Sequence, residues 1–150
     1  MKLEEEIKQN TPFKNEFAKL AVNILYTHGW LVNTYSDFLK KYSITTAQYN
    51  ILRILRGQHP NPASISLLKD RMLDKMSDTS RLVDRLIIKE LVERKICLND
   101  RRKAEVLITP KGLKLLKELD VMEENHKTTF SQLSEKEVKT LNDLLDKLRG

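Results

Sequence analysis

The sequence predicts a mainly α-helical chain with one small β-hairpin, and three observations support that fold class. Apolar residues recur at helical spacing over most of the chain. Period-two alternation is confined to two short segments on either side of one polar tip. Only four glycines occur in 150 residues, and leucine, lysine, glutamate and isoleucine dominate, a composition that favours helix. A single domain is expected at this length, large enough to bury a core without covalent staples.

The first long element spans 13–42. Phe13, Phe17, Leu20, Ile24, Leu31, Tyr35, Phe38 and Tyr42 repeat with a period near 3.5, the spacing of one helix face. Such a helix is ~45 Å long. A second apolar set, Ala18, Ala21, Leu25, Val32 and Leu39, widens the stripe beyond what one small domain covers, so a partner surface is expected. Gly29 lies mid-helix, at a close crossing or a slight kink, and costs ~1 kcal/mol of propensity.

A second helix starts at Thr45, where Thr45 and Gln48 form a capping box and Ile44 with Tyr49 a staple. Gly57 is expected to end it, before the turn-rich stretch 58–64. A third, short helix runs from Ser64 or Ser66 to Leu73, with Leu68 and Met72 inward. A fourth runs from near Ser77 to about Glu90, with Leu82, Val83, Leu86 and Ile87 inward and Asp78, Arg81, Arg85 and Lys89 outward. Two short helices across a tight connection, the second with a basic outer face, make a helix-turn-helix.

Alternation then marks strands over 92–98 and 104–108 around the polar tip Asn99–Lys103, a hairpin in the position of a wing. Thr109 and Pro110 open the next helix as cap and first residue. Leu115, Leu119, Met122, His126, Phe130 and Leu133 are expected to line one face of it. Ser134 and Glu137 form a second capping box, and Val138, Leu141, Leu145 and Leu148 carry the stripe onward. The fold class is therefore a winged helix-turn-helix over about 45–110, flanked by N- and C-terminal helices (about 13–42 and 111–149) that pack on each other and on a second copy of the chain.

Charge sharpens the reading. Residues 69–117 hold 14 of the 27 Lys and Arg but only 8 of the 21 acidic residues, so they carry the entire formal charge of +6. A focused basic excess is the footprint of a nucleic-acid surface. The single cysteine, Cys97, excludes an internal disulfide and fits a reducing cytoplasm; it reads as a small packed residue rather than a redox sensor. The N-terminal segment is acidic and polar, unlike a signal peptide, and no apolar run reaches membrane-spanning length. No phosphate loop, nucleophile elbow, zinc-hydrolase helix or kinase signature is present, so neither enzyme nor cofactor is expected. His28, His59 and His126 lie far apart, and no metal site is expected. His126, on an apolar stripe, reads as a packed histidine.

Four segments, 79–86 (TSRLVDRL), 91–94 (LVER), 100–102 (DRR) and 108–112 (ITPKG), stand in an order and spacing that resembles the MarR family of winged-helix transcriptional regulators. The resemblance extends from Leu68 to Leu119 and, through the flanking helices, over most of the chain. One departure is Glu90, where the family usually has glycine; Lys69 and Asp74 also replace residues that are commonly small or apolar there.

The resemblance implies a homodimeric, sequence-specific regulator of double-stranded DNA, a ligand-responsive repressor on a near-palindromic operator. Lys75, Lys89, Lys95 and Lys103 are the expected phosphate partners. Ser77, Asp78, Ser80, Arg81 and Arg85 are the expected base readers, since the N-terminal part of the second helix of the motif enters the major groove. Ser77 serves equally as a helix cap, and Asp78 as a helix-dipole partner. From the family pattern, Arg102 at the wing tip enters the minor groove steadied by Asp100, with Arg101 beside it; an internal salt bridge of Arg102 is the other reading. A small aromatic or phenolic effector, with Tyr26, Trp30, Tyr49 and Arg53 lining its pocket or simply packed in the core, also follows from the resemblance. The alternative function is a winged-helix protein-interaction module without sequence preference for DNA.

Overall fold

The computed structural model describes residues 1–96 and 104–150; Cys97, Asp100, Arg101, Arg102 and Lys103 lie outside the described residues. The chain opens with a short helix α1 (Leu3–Glu6) that the apolar pattern did not announce. Its Leu3 is buried, and Glu4 pairs with Lys19 at 2.7 Å. The long helix α2 (Glu16–Leu39) begins three residues later than the stripe predicts, because Asn15 caps it by accepting the Ala18 N–H at 2.9 Å. Phe13 therefore precedes the helix. A 3-10 turn, Lys40–Tyr42, finishes the element.

The winged part follows. Helix α3 (Thr46–Gln58) carries the expected capping box of Thr45 and Gln48. It runs past Gly57 and stops at His59, so the glycine is helical rather than terminal. Strand β1 (Ala63–Ser64) was not foreseen, since two residues are too few for alternation to register. Ser64, not Ser66, caps α4 (Ile65–Arg71). Helix α5 (Thr79–Ile88) is shorter than expected at both ends, because Asp78 rather than Ser77 is its N-cap. Strands β2 (Val92–Ile96) and β3 (Ala104–Ile108) form the hairpin, and β1 adds to the other edge of β3, giving an antiparallel sheet β1-β3-β2. In the register, Val92 faces Ile108 and Arg94 faces Val106, while Ala63 pairs with Val106.

The core lies among α3, α4, α5 and the sheet. Ile51, Leu52, Leu55, Leu68, Val83, Leu86, Val106 and Leu116 are fully buried there. Each such side chain contributes ~1.5–3 kcal/mol of burial.

The C-terminal stripe is not one helix to Leu133. Helix α6 (Pro110–Leu119) ends at Asp120, α7 (Val121–Thr129) continues from it, and α8 (Glu135–Arg149) starts from its own Ser134–Glu137 capping box. Leu119 of α6 and Met122 beyond it are buried as expected, while Leu116 takes the fully buried place and Leu115 is only partly buried beside the core. Arg56 of α3 holds Asp120 at 2.7 Å, anchoring the α6–α7 junction to the winged part.

The outer helices are poorly covered in one subunit. Leu39 is the single buried residue of α2, and Phe17, Leu25 and Trp30 are 84%, 71% and 45% exposed. Helix α8 buries no residue, and Leu141, Leu144 and Leu148 face outward. The apolar stripes are real, and the described residues leave them largely uncovered. Among the described residues no helix is long and apolar enough to cross a membrane.

Candidate nucleic-acid interface

Helix α5 is positioned by its two faces. Val83 and Leu86 are fully buried, with Leu82 and Ile87 packed against the same core. That leaves Ser80, Arg81, Asp84 and Arg85 on the solvent side. Among the described residues neither the Arg81 nor the Arg85 guanidinium has a hydrogen-bond or ion-pair partner. Separated by four residues, the two side chains leave the same helix face one turn apart. A guanidinium held in this way can bridge O6 and N7 of guanine.

The N-terminus of α5 is fixed by two carboxylates. Asp78 Oδ1 accepts the Arg81 N–H at 3.1 Å, which satisfies one of the free donors of the first turn. Asp74 organises the preceding turn: Oδ1 accepts the Met76 N–H at 2.9 Å and Oδ2 accepts the Ser77 hydroxyl at 3.0 Å. Ser77 is thus held by Asp74 and does not cap the helix. Sequence reasoning missed the role of Asp74; an aspartate opening a short polar turn, able to accept the backbone N–H two residues on in an Asx-turn, is the signal that carries it. Thr79, the first helical residue, buries its hydroxyl without a partner among the described residues.

The other expected phosphate partners divide. Lys95 points from the outer face of β2 and is exposed. Lys75 donates to the Asp70 carbonyl, at the foot of the same turn. Lys89 donates to the Ser43 carbonyl and so lies against the body of the chain. The wing is tied to the recognition helix by Arg94, whose guanidinium meets Asp84 at 2.9 Å.

The segment joining α5 to the wing explains a sequence anomaly. The Leu91 N–H donates to the Leu86 carbonyl at 3.0 Å and the Glu90 N–H to the Ile87 carbonyl at 2.8 Å, the paired bonds of a Schellman end. Glu90 therefore adopts φ 60°, a left-handed conformation that suits glycine. Its carbonyl accepts the Thr109 hydroxyl at 2.8 Å and its carboxylate meets Lys111 at 2.9 Å.

Residues 44–104 match the family model for the MarR family. The winged part is similar to the MarR family. Solved structures agree over nearly the whole chain. The Escherichia coli MarR C80S mutant, complexed with operator DNA, is 26% identical, with a TM-score of 0.80 over 92% of this chain and 99% of that one. A MarR-like transcription regulator from Bacillus cereus is 24% identical, with a TM-score of 0.80 over 89% and 96%. Bordetella bronchiseptica BpsR, whose DNA binding is regulated by 6-hydroxynicotinic acid, is 22% identical, with a TM-score of 0.77 over 88% and 99%. A search of curated proteins gives no match. Members of the MarR family are DNA-binding transcription regulators, not enzymes.

The residues expected to line an effector pocket form two pairs. Tyr49 and Arg53 are joined on α3, with the guanidinium donating to the phenol oxygen at 3.3 Å and lying 5.8 Å from the ring centre. Tyr26 and Trp30 are a turn apart on the uncovered part of α2. A cavity of about 450 Å³ lies farther along, between the end of α2 and α7; Tyr35, Phe38, Met122 and His126 are among its walls, and none of the four expected residues is. There the Tyr35 hydroxyl and His126 Nε2 are 2.9 Å apart. The His126 ring also packs near Phe130. Burial raises the Tyr35 phenol above its usual pKa.

Proposed function

We propose that this MarR-like chain acts as a homodimeric, sequence-specific regulator of transcription, a ligand-responsive repressor of the cytoplasm that binds a near-palindromic operator. The observation that carries the reading is the pair Arg81 and Arg85, without a hydrogen-bond or ion-pair partner among the described residues, on the solvent face of a helix whose opposite face is locked into the core. The operator complex of the Escherichia coli relative supports DNA as the ligand of this face. Ser80 and, where its capping oxygen allows, Asp78 complete the base-reading set; Lys75 and Lys95 serve the phosphates. Asp100, Arg101, Arg102 and Lys103 form the wing's contribution in this proposal.

Dimerisation through the helices of 13–42 and 111–149 is supported by the uncovered apolar residues of α2 and α8. It sets two winged parts (45–110) on successive major grooves, with half-sites about one helical turn apart. A small aromatic or phenolic effector would bind between the outer helices and the winged part and alter the spacing of the two recognition helices. The regulation of BpsR by 6-hydroxynicotinic acid supports that ligand class.

The test is fluorescence anisotropy with the DNA upstream of the protein's own gene and a scrambled duplex, each at two salt concentrations. Nanomolar binding to the first and much weaker binding to the second is expected. Equal, weak and steeply salt-dependent binding to every duplex tried would reduce the surface to a non-specific basic patch.

A further inference from the structure

The turn between α4 and α5 carries two large apolar side chains that the fold does not use. Leu73 is 87% exposed and Met76 is 92% exposed. They follow a buried residue, Met72, which does the packing for this segment. Their exposure is not the result of a loose loop. Asn50 Oδ1 accepts the Leu73 N–H at 2.9 Å, and Asp74 fixes the Met76 N–H and the Ser77 hydroxyl. The backbone is thus held so that Met76 stands out from it, two residues before the cap of the recognition helix.

Its place in the fold points to what covers it. The exposed cations Arg71, Lys75 and Arg81 are interleaved with the exposed Asp70, Asp74 and Asp78, so charge balances along the turn and the start of the helix beside it. On the DNA-binding reading, an exposed apolar side chain at this end of the helix is covered by a small apolar group of the duplex. In a DNA major groove the only such group on a base edge is the C5-methyl of thymine. Met76 adjoins the end of α5 that enters the groove. An unbranched thioether chain reaches and adapts to such a target better than a branched one.

We propose that Met76 is a specificity-determining residue that contacts a thymine methyl in each operator half-site. This rests on the DNA-binding reading above. The operator is first selected from a randomised duplex pool with the full-length protein. Each thymine of the selected site is then replaced in turn by deoxyuridine, which removes only the methyl, and binding is measured by anisotropy for the wild type and for Met76→Ala. Because Met76 is exposed and makes no core contact, the variant is expected to melt with the wild type, and this is checked in parallel.

One thymine per half-site should weaken wild-type binding about fourfold when it becomes deoxyuridine, the loss of one buried methyl, and about fifteenfold when both half-sites change. Met76→Ala should bind the thymine operator more weakly by a similar factor and be insensitive to deoxyuridine at that position alone. Equal responses of the two proteins at every position would overturn the proposal while leaving specific binding intact. So would a Met76→Ala variant with unchanged operator affinity but altered self-association, which would assign the side chain to a protein contact. Failure of the wild type to select any sequence would remove the DNA-binding reading, and this proposal with it.

Discussion

Replacing Gly112 with alanine places a methyl carbon where the fold has no room. A Cβ built on Gly112 lies 2.3 Å from the Leu91 carbonyl oxygen and 2.8 Å from Cγ1 of Ile108. The isoleucine can rotate away, but the carbonyl is backbone. Ordinary contact begins at 3.4 Å, so α6 must retreat by about 1.1 Å. That movement opens two bonds across the junction, Thr109 N–H to the Leu91 carbonyl at 3.1 Å and the Thr109 hydroxyl to the Glu90 carbonyl at 2.8 Å. Two lost bonds cost ~1–3 kcal/mol, and the overpacking adds ~1–3 kcal/mol. Alanine recovers ~1 kcal/mol of helix propensity. The expected loss is ~3 kcal/mol, a fall in Tm of roughly 6–12 °C for a chain of this length. Urea unfolding followed by circular dichroism, at a fixed protein concentration because the stability of the proposed dimer would depend on it, measures this directly. Gly57→Ala is the control: it lies inside α3 with nothing within 4 Å of the added atom, and should stabilise by ~0.5–1 kcal/mol. A Gly112→Ala protein within ~0.5 kcal/mol of wild type would refute the steric argument.

Four further outcomes follow from the same structure. Glu90→Gly relieves a left-handed backbone worth ~1–2 kcal/mol and gives up an exposed ion pair worth ~0–1 kcal/mol, so a net gain of ~1 kcal/mol should appear in the same unfolding assay. Thr79→Val removes a buried hydroxyl with no partner among the described residues and should raise stability by ~1 kcal/mol; a loss instead would mean that the hydroxyl is satisfied in solution. Arg81→Ala and Arg85→Ala should each lower operator affinity by the equivalent of ~1–3 kcal/mol and relax base preference at one position, leaving the melting curve unchanged. The Ser134 hydroxyl, and then its backbone N–H, hold the Glu137 carboxyl below its ordinary value of 4.5. That capping contribution is complete above pH 4.5 and is lost as pH falls through the lower folded value, so carboxyl NMR should place the Glu137 midpoint below 4.5 with α8 fraying beneath it.

Much of this was legible in the sequence for a physical reason. Capping boxes are local, so Thr45 with Gln48, Ser134 with Glu137, and Thr109 with Pro110 announced three helix starts correctly. The inward face of α5 was equally clear, because Val83 and Leu86 repeat at the helical period. Errors arose where a local signal had a competitor. Ser77 and Asp78 are both good caps, and Asp74 decided between them by engaging Ser77. Gly57 looked like a terminator, but the space around it is open and α3 continues through it. The break at Asp120 has no glycine or proline to mark it, so the stripe read as unbroken. Strand β1 is only two residues long and exists because β3 offers it an edge. The exposed Met76 went unnoticed because an apolar residue in a short turn carries no periodic signal. Of the candidate DNA contacts, Arg81 and Arg85 stand clear of the fold, while Lys89, expected at a phosphate, spends its ammonium on Ser43.

The junction at Asp120 divides the molecule into separately exchangeable parts. Helix α6 is fastened to the winged part at its start by Thr109 and at its end by the contact of Arg56 with Asp120. Beyond that point α8 has no fully buried residue. On the proposed dimeric, operator-binding reading, a chimera cut after Asp120 should inherit its operator from one parent, while the C-terminal share of its partner choice comes from the other. Two regulators descended from a duplicated gene could cease to mix their subunits by changes beyond this residue and in α2, without altering the DNA that either one reads.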